Sequence, residues 1–97
     1  MEFDYRKLET LIHSPARLGI VTILISGDEV DFNFLKEKLF LSDGNLSIHL
    51  LRLEEAKYIK VRKTFFKKRP RTFYKITPQG KTAFENYVDT IEKILKA

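Results

Sequence analysis

The 97-residue chain contains no cysteine, which excludes disulfide bonds, thiolate metal sites and cysteine nucleophiles but leaves the redox compartment undetermined. Long hydrophobic runs are also missing: the most apolar stretch, residues 18–25, is far shorter than the roughly 20 residues that a membrane-spanning helix needs. The N-terminus lacks the basic segment and apolar run of a signal peptide. We therefore expect an intracellular, cytoplasmic protein.

Catalytic motifs are absent as well. The sequence has no glycine-rich phosphate loop, no H-E-x-x-H helix and no nucleophile motif. Its two histidines, His13 and His49, are far apart in the sequence. The acidic residues Asp28, Glu29 and Asp31 match no metal-ligand spacing and indicate a solvated turn. We expect no enzymatic activity, no metal and no cofactor.

Positive charge is abundant and concentrated in one segment. Residues 57–75 hold nine of the 18 basic residues and no acidic one, so the remainder carries nine basic and 13 acidic residues, a net charge of −4. Apolar side chains such as Ile59, Val61 and Phe73 alternate with the cations, which is typical of two strands. A basic hairpin on an acidic body favours a polyanionic partner, above all nucleic acid.

Two helices are predicted before residue 28. Apolar spacing indicates a short helix over residues 4–12. Ser14-Pro15 is a helix start signal, and Gly27 ends the helix that follows. Apolar residues surround this second helix almost completely, which predicts that it is the central buried helix.

The middle of the chain predicts a helix-turn-helix. Asp31 should cap a helix over residues 32–39, and Ser42 should cap another from residue 43 to about residue 57. Two helices joined by so short a connection are typical of that motif.

A hairpin and a last helix complete the pattern. We place the tip or return of the basic hairpin at Arg69-Pro70-Arg71, and Thr77-Pro78 starts a final helix with an apolar stripe. Three helices followed by a two-stranded hairpin form the winged-helix arrangement, an α+β, mostly helical fold. We expect a single domain, with an N-terminal dimer arm over residues 1–13, the winged helix-turn-helix over 14–76 and a C-terminal dimerisation helix over 77–97.

Three segments resemble winged-helix transcriptional regulators of the ArsR and MarR type. Residues 47–59 are similar to their recognition-helix pattern, S-x-H-L-x-x-L-x-x-x-G-y-I, and residues 69–80 to their wing pattern, R-x-R-T-x-Y-x-L-T-x-x-G. Residues 14–18 resemble the entry to their first core helix. The resemblance implies a homodimer on pseudo-palindromic duplex DNA. Lys57 departs from it, because these families usually have glycine there, and the missing cysteines give no support for a metal sensor.

The third helix should present one face to DNA. At about 100° per residue, Leu46, Leu50 and Leu53 share a core face. The opposite side carries side chains that can read base edges or contact phosphates, although ordinary solvated residues would show the same pattern. The predicted contact residues are Asn45, Ser47, Ile48, Arg52 and, within the motif, His49, for which a packed structural role is the alternative.

The hairpin cations should contact phosphates. Lys60 and Arg62 share the outward face, opposite Ile59 and Val61. Protection of an exposed strand edge is the alternative role, but it does not require every charge to be positive. For the hairpin aromatics Phe65, Phe66, Phe73 and Tyr74 we expect core and cross-strand packing rather than stacking on unpaired bases. The predicted wing contacts are Lys60, Arg62, Lys63, Lys67, Lys68, Arg69 and Arg71.

The first and last helices should form a two-fold dimer interface, because the last stripe is longer than one small core needs. The alternative is that the last helix folds back on its own core. The predicted interface residues are Leu8, Leu11, Phe84, Tyr87, Val88, Ile91, Ile94 and Leu95.

The function predicted from the sequence is that of a sequence-specific transcriptional regulator that binds double-stranded DNA as a homodimer. Three alternatives stay open: a winged-helix protein-interaction module in a larger assembly, a binder of RNA or single strands, and a nonspecific nucleic-acid binder. The sequence marks no small-molecule effector.

Overall fold

The computed structural model describes residues 8–96. In that range it has a mostly helical α+β architecture, which confirms the predicted winged helix. Its elements, in chain order, are α1 (Pro15–Leu24), β1 (Val30–Asp31), α2 (Phe32–Leu39), α3 (Asp43–Glu55), β2 (Ile59–Phe66), β3 (Arg69–Ile76) and α4 (Pro78–Leu95).

The four helix starts predicted from capping residues are confirmed, and three of them show the expected hydrogen bond. The side chains of Asp31, Ser42 and Thr77 each accept a bond from the backbone N–H three residues further on. Such a bond satisfies one of the N–H groups that every helix start leaves unpaired. Ser14 occupies the cap position of α1 without a side-chain bond, and Pro15 begins the helix.

The first predicted helix, over residues 4–12, is wrong where the structure describes it. Residue 8 is a bend, residue 9 is irregular and residues 10–12 form a turn, and residues 4–7 of that prediction lie outside the described range. The Glu9 carboxylate explains the difference, because it accepts the N–H of Ile12 (2.8 Å) and the hydroxyl of Tyr58 (2.8 Å). The first contact takes an N–H that a helix would use, and the second ties the turn to the segment between α3 and β2.

The sheet has one strand more than the predicted two-stranded hairpin. β3 lies in the centre, and both β2 and the two-residue β1 pair with it in antiparallel orientation. Tyr74 of β3 faces Val61 on one side and Val30 on the other. A strand of two residues has no periodicity to detect, so the sequence pattern could not reveal β1.

The hairpin turn lies at Lys67–Lys68, not at Arg69-Pro70-Arg71, so the predicted tip is wrong. Both lysines have positive φ, 50° and 66°, as a two-residue hairpin turn requires, but asparagine and glycine usually occupy such positions. A two-residue hairpin is closed by a hydrogen-bonded pair. Pro70, one pair beyond it, therefore removes no ladder hydrogen bond. We call β2, this turn and β3 together the wing.

The core lies between α1, α2, α3 and the inner face of the sheet. α1 is the central buried helix, as predicted, with Ile20, Val21 and Leu24 almost inaccessible. Burying an aliphatic side chain of this size contributes about 1.5–3 kcal/mol, so these contacts fix how α3 and the wing leave the body. The other buried apolar residues in this cluster are Leu35, Leu46, Leu50, Leu53, Ile59, Tyr74 and Ile76.

The molecule is elongated. Its extents are 57 × 25 × 20 Å and its radius of gyration is 14.7 Å, against about 12.5 Å for a compact chain of this length. α4 is 18 residues long and buries only Gly80 and Tyr87, so most of this helix leaves a side uncovered. None of the helices in the described range is long and apolar enough to cross a membrane.

Candidate nucleic-acid interface

A tight turn at the C-terminal end of α3 joins this helix to the wing. Tyr58 N–H donates to the Leu53 carbonyl (3.0 Å) and Lys57 N–H to the Glu54 carbonyl (2.8 Å), the two bonds of a Schellman motif. Lys57 has a φ of 65°, so it adopts the left-handed conformation that glycine has in the related families. Lys57, which replaces the glycine of the family pattern, is therefore a strained residue, and the strain costs about 1–2 kcal/mol of stability.

The start of α4 is bonded to this turn. Thr77 N–H donates to the Tyr58 carbonyl (2.9 Å), and the Thr77 hydroxyl donates to the Lys57 carbonyl (2.7 Å) and accepts the N–H of Gly80 (3.0 Å). A Cβ on Gly80 would lie 2.2 Å from the Tyr58 carbonyl oxygen. The Thr-Pro-x-Gly segment thus holds α4 against the end of α3.

α3 presents the faces that its periodicity predicts. Leu46, Leu50 and Leu53 are 0%, 3% and 0% exposed, so they anchor the helix in the core. The residues predicted to contact bases or phosphates lie on the accessible side, with the exception of half-buried His49; the exposed ones are Asn45, Ser47, Ile48 and Arg52.

His49 lies at the edge of the core. An N–H of the Arg17 guanidinium donates to its Nδ1 (3.0 Å), while the Arg17 Nε–H bonds the Leu11 carbonyl. Burial first, and then the charges of Arg17 and Arg52, lower the pKa of His49. Arg17, a residue of α1, thus holds the ring in position, which is the packed role considered for His49. Sequence reasoning missed Arg17 because 32 residues separate it from His49.

Leu51 is a second residue that sequence reasoning missed. Its side chain is 54% exposed, beside Ile48 at 53%. The signal was available, because about 100° per residue places these two positions within roughly 60° of each other on the helix. Together they form an apolar patch on the exposed face of α3, of the kind that contacts thymine methyl groups.

All seven predicted wing cations are exposed, but two of them have carboxylate partners. Arg62 makes two bonds to Glu29 (2.9 and 3.0 Å) and lies 4.8 Å from the Phe73 ring centre. Arg71 approaches Asp31 at 3.9 Å. The hydrogen bond with Arg62 lowers the pKa of Glu29.

The acidic segment 28–31 is therefore more than the solvated turn we expected, since two of its carboxylates face the base of the wing. Within residues 8–96, no salt bridge to a carboxylate involves the remaining predicted wing cations, Lys60, Lys63, Lys67, Lys68 and Arg69.

The residues predicted for a dimer interface divide into three groups. Leu11 and Phe84 pack against the core of the same chain, and Tyr87 is buried with its hydroxyl 2.8 Å from His13 Nδ1. Leu95 is 78% exposed. The remaining four, Leu8, Val88, Ile91 and Ile94, are half-buried.

Metal ligands do not cluster in the described part of the chain, where no group of three His, Cys, Asp or Glu side chains could hold an ion. The predicted contact residues of α3 and the wing instead offer amide, hydroxyl and cationic groups, which suit base edges and phosphates.

Comparisons with known proteins agree with this geometry. Residues 16–95 match the model of the winged helix DNA-binding domain. The chain is 41% identical over 86 residues to an uncharacterised protein of Methanocaldococcus jannaschii, covering 89% of this chain and 94% of that one. A transcriptional regulator homologue of Pyrococcus horikoshii superposes with a TM-score of 0.83 at 27% identity, covering 91% and 87% of the two chains.

A more distant structure shares the fold. The regulator YtfH of Salmonella typhimurium, whose regulatory role is itself provisional, has a TM-score of 0.75 at 21% identity over 93% of this chain and 80% of its own. The match to the domain model covers most of the chain and agrees with the resemblance to ArsR- and MarR-type regulators at the level of the fold. The chain belongs to the winged-helix DNA-binding domain family of transcriptional regulators, which is not a family of enzymes.

Proposed function

We propose that the chain is a cytoplasmic regulator of transcription that binds a specific duplex DNA sequence as a homodimer. In the complex, α3 lies in the major groove, and the wing lies on the backbone or in the minor groove. One observation carries the proposal. The side of α3 opposite its buried leucines exposes Asn45, Ile48 and Arg52, side chains suited to adenine, thymine methyl and guanine. The helix continues directly into a wing with exposed cations.

The wing cations supply affinity rather than sequence recognition. The wing cations that have no carboxylate partner within residues 8–96 lie mostly at the turn and the neighbouring strand positions, where they can reach phosphates. If a dimer neutralises six to eight phosphates, the logarithm of the binding constant falls against the logarithm of the salt concentration with a slope of about −5 to −7. Arg62 contributes less to this slope than its exposure suggests, because Glu29 already holds its guanidinium.

Dimerisation through α4 follows from its uncovered stripe. Val88, Ile91 and Ile94 are only half-buried and Leu95 is exposed, so a second copy related by a two-fold axis would cover them. Two such protomers would place their α3 helices on half-sites about one helical turn apart. Sedimentation at micromolar concentration should show a dimer, and Ile91→Glu should convert it to a monomer, whereas Lys93→Glu should not.

The test of specificity compares two kinds of variant on one duplex enriched from a random pool and on a scrambled duplex. Asn45→Ala and Arg52→Ala should bring the two affinities closer, each removing about 1–3 kcal/mol of discrimination. Lys67→Ala and Lys68→Ala should weaken both complexes equally and flatten the salt dependence. Lys93→Ala on α4 is the control that should change neither.

Equal losses on both duplexes from the α3 variants would show that this helix is a phosphate anchor. Binding would then be nonspecific, and the proposed regulatory mechanism would be wrong.

A further inference from the structure

The tip of the wing exposes two phenylalanines. Phe65 is 76% exposed and Phe66 is 53% exposed, whereas Tyr74, further down the same hairpin, is 8% exposed and belongs to the core. The core or cross-strand packing expected for the hairpin aromatics therefore fails for Phe65. A large apolar side chain that is exposed to water at the end of a projecting hairpin indicates contact with a partner surface.

The two rings have different surroundings. The Phe66 ring lies under cations, with Lys67 Nζ at 5.5 Å and the Arg71 guanidinium at 5.1 Å from its centre. Successive strand residues point to opposite faces, so Phe65 lies on the other face, directly across from Pro70. Phe65 and Pro70 are both exposed and together make a small apolar edge beside the turn.

Cations surround this apolar edge. The turn residues Lys67 and Lys68 and the nearby Lys63 and Arg69 are all exposed. The tip is apolar and has positive charges around it. A complementary partner surface therefore has an apolar interior between two lines of negative charge. The minor groove of duplex DNA has this form, because base pairs form its floor and phosphates line both walls.

The shape of the tip suits that groove. Two paired strands are about 4.8 Å apart, and the two-residue turn adds no loop that would widen the end of the hairpin. The minor groove is about 6 Å wide, narrower than a two-stranded ribbon with its side chains, so the turn and the side chain beside it, rather than the whole ribbon, enter the groove and widen it. Phenylalanine and proline are among the side chains that enter between base pairs from this groove and kink the duplex.

We propose that Phe65 is an apolar wedge that enters a base-pair step from the minor groove and bends the DNA. This inference rests on the proposed function, in which the wing meets duplex DNA, and adds a second source of specificity. The step beneath the wing should be a flexible pyrimidine–purine step such as TA or CA, because these steps unstack at least cost. The wing would thus select sequence through deformation, while α3 selects through base edges.

The experiment uses the full chain and a selected duplex with fluorophores at its two ends, so that energy transfer reports bending. Binding of the wild type should raise the energy transfer between the two ends of the duplex, because a kink of roughly 20–90° brings them closer. The fluorescence of 2-aminopurine placed at the base-pair step beneath the wing should increase when that step unstacks. Phe65→Ala should abolish both signals, and Phe65→Leu should retain them. Phe66→Ala removes the neighbouring ring on the opposite face and should leave bending intact.

Four results would overturn the wedge. The first is a wild-type complex with a straight duplex, and the second is a Phe65→Ala complex bent as strongly as the wild type; the proposed function survives both. The third is tighter wild-type binding to a single strand than to the duplex, weakened by Phe65→Ala, which would assign the ring to stacking on unpaired bases. Failure of the wild type to bind any duplex at low salt would reject the proposed function together with the wedge.

Discussion

Substitution of Gly80 gives the most specific test of how α3 is positioned. A methyl group at this residue would lie 2.2 Å from the carbonyl oxygen of Tyr58, 2.9 Å from its carbonyl carbon and 3.0 Å from its Cα. All three are backbone atoms, so no side-chain rotation can relieve the clash. The same carbonyl accepts the Thr77 N–H, and any shift of the backbone lengthens that bond.

The magnitude follows from three contributions. Overpacking costs about 1–3 kcal/mol, here at the upper end because backbone must move, and weakening one or two hydrogen bonds costs about 1 kcal/mol each. Alanine gains about 1 kcal/mol over glycine in a helix. We expect Gly80→Ala to lower the free energy of unfolding by about 3 kcal/mol, which moves the urea midpoint by roughly 1–3 M.

Gly44 is the matched control. It lies in the first turn of α3, and a Cβ there meets no atom within 4 Å, so Gly44→Ala should raise stability by about 0.5–1 kcal/mol. Urea unfolding followed by circular dichroism measures both variants, at one protein concentration because the proposed dimerisation would contribute to stability. If Gly80→Ala were as stable as Gly44→Ala, the close contact between α4 and the α3–β2 turn would not exist in solution.

Three further predictions concern strain, pH and the N-terminal turn. Lys57→Gly should raise the free energy of unfolding by up to about 1 kcal/mol, measured by thermal unfolding. The substitution removes left-handed backbone strain of about 1–2 kcal/mol, but it also adds chain entropy to the unfolded state. If stability did not rise, the backbone at Lys57 would not be strained. Burial first, and then the charges of Arg17 and Arg52, lower the pKa of His49 in the folded protein, so stability present above its unfolded pKa is lost as pH falls through the lower folded value. His49→Gln should flatten this loss in urea titrations between pH 7 and 5, and an unchanged slope would contradict the lowered pKa of His49. Burial and the hydrogen bond to Glu9 raise the pKa of Tyr58 to about 12, so Glu9→Gln should lower its pKa in a spectrophotometric titration; an unchanged value would place the Glu9 carboxylate away from the Tyr58 hydroxyl.

Local signals predicted most of the helical framework. Asp31, Ser42 and Thr77 start helices because each side chain supplies its own hydrogen bond within three residues. The leucine spacing in α3 is equally local, and it correctly separates the buried face from the exposed one. These signals act over a few residues, so they survive in any sequence that adopts the fold.

Contacts between distant residues could not be predicted in this way. The pairing of Arg62 with Glu29 spans 33 residues, and the bond between Tyr58 and Glu9 spans 49. Nothing in the spacing of either pair marks it. The turn at Lys67–Lys68 was missed for another reason: the hairpin geometry forces two lysines into a conformation that their intrinsic preferences disfavour.

The exposure of Phe65 also depended on long-range structure. Alternation along β2 correctly assigns its faces, but it does not tell how far the sheet extends beyond the helices that cover it. Ile59 and Val61 lie over the core or at its edge, while Phe65 shares their face and is left in water. The distance that the hairpin extends beyond the helices, rather than the periodicity of β2, determines which of these residues are buried and which are exposed at the tip.

Selection from a random duplex library shows whether α3 reads a specific sequence in duplex DNA. We expect the wild type to enrich an inverted repeat with half-sites about 10 base pairs apart, and Arg52→Ala to lose the preference at a guanine of each half-site. If the wild type retained duplex at low salt but enriched no sequence, α3 would not be a reader of DNA sequence.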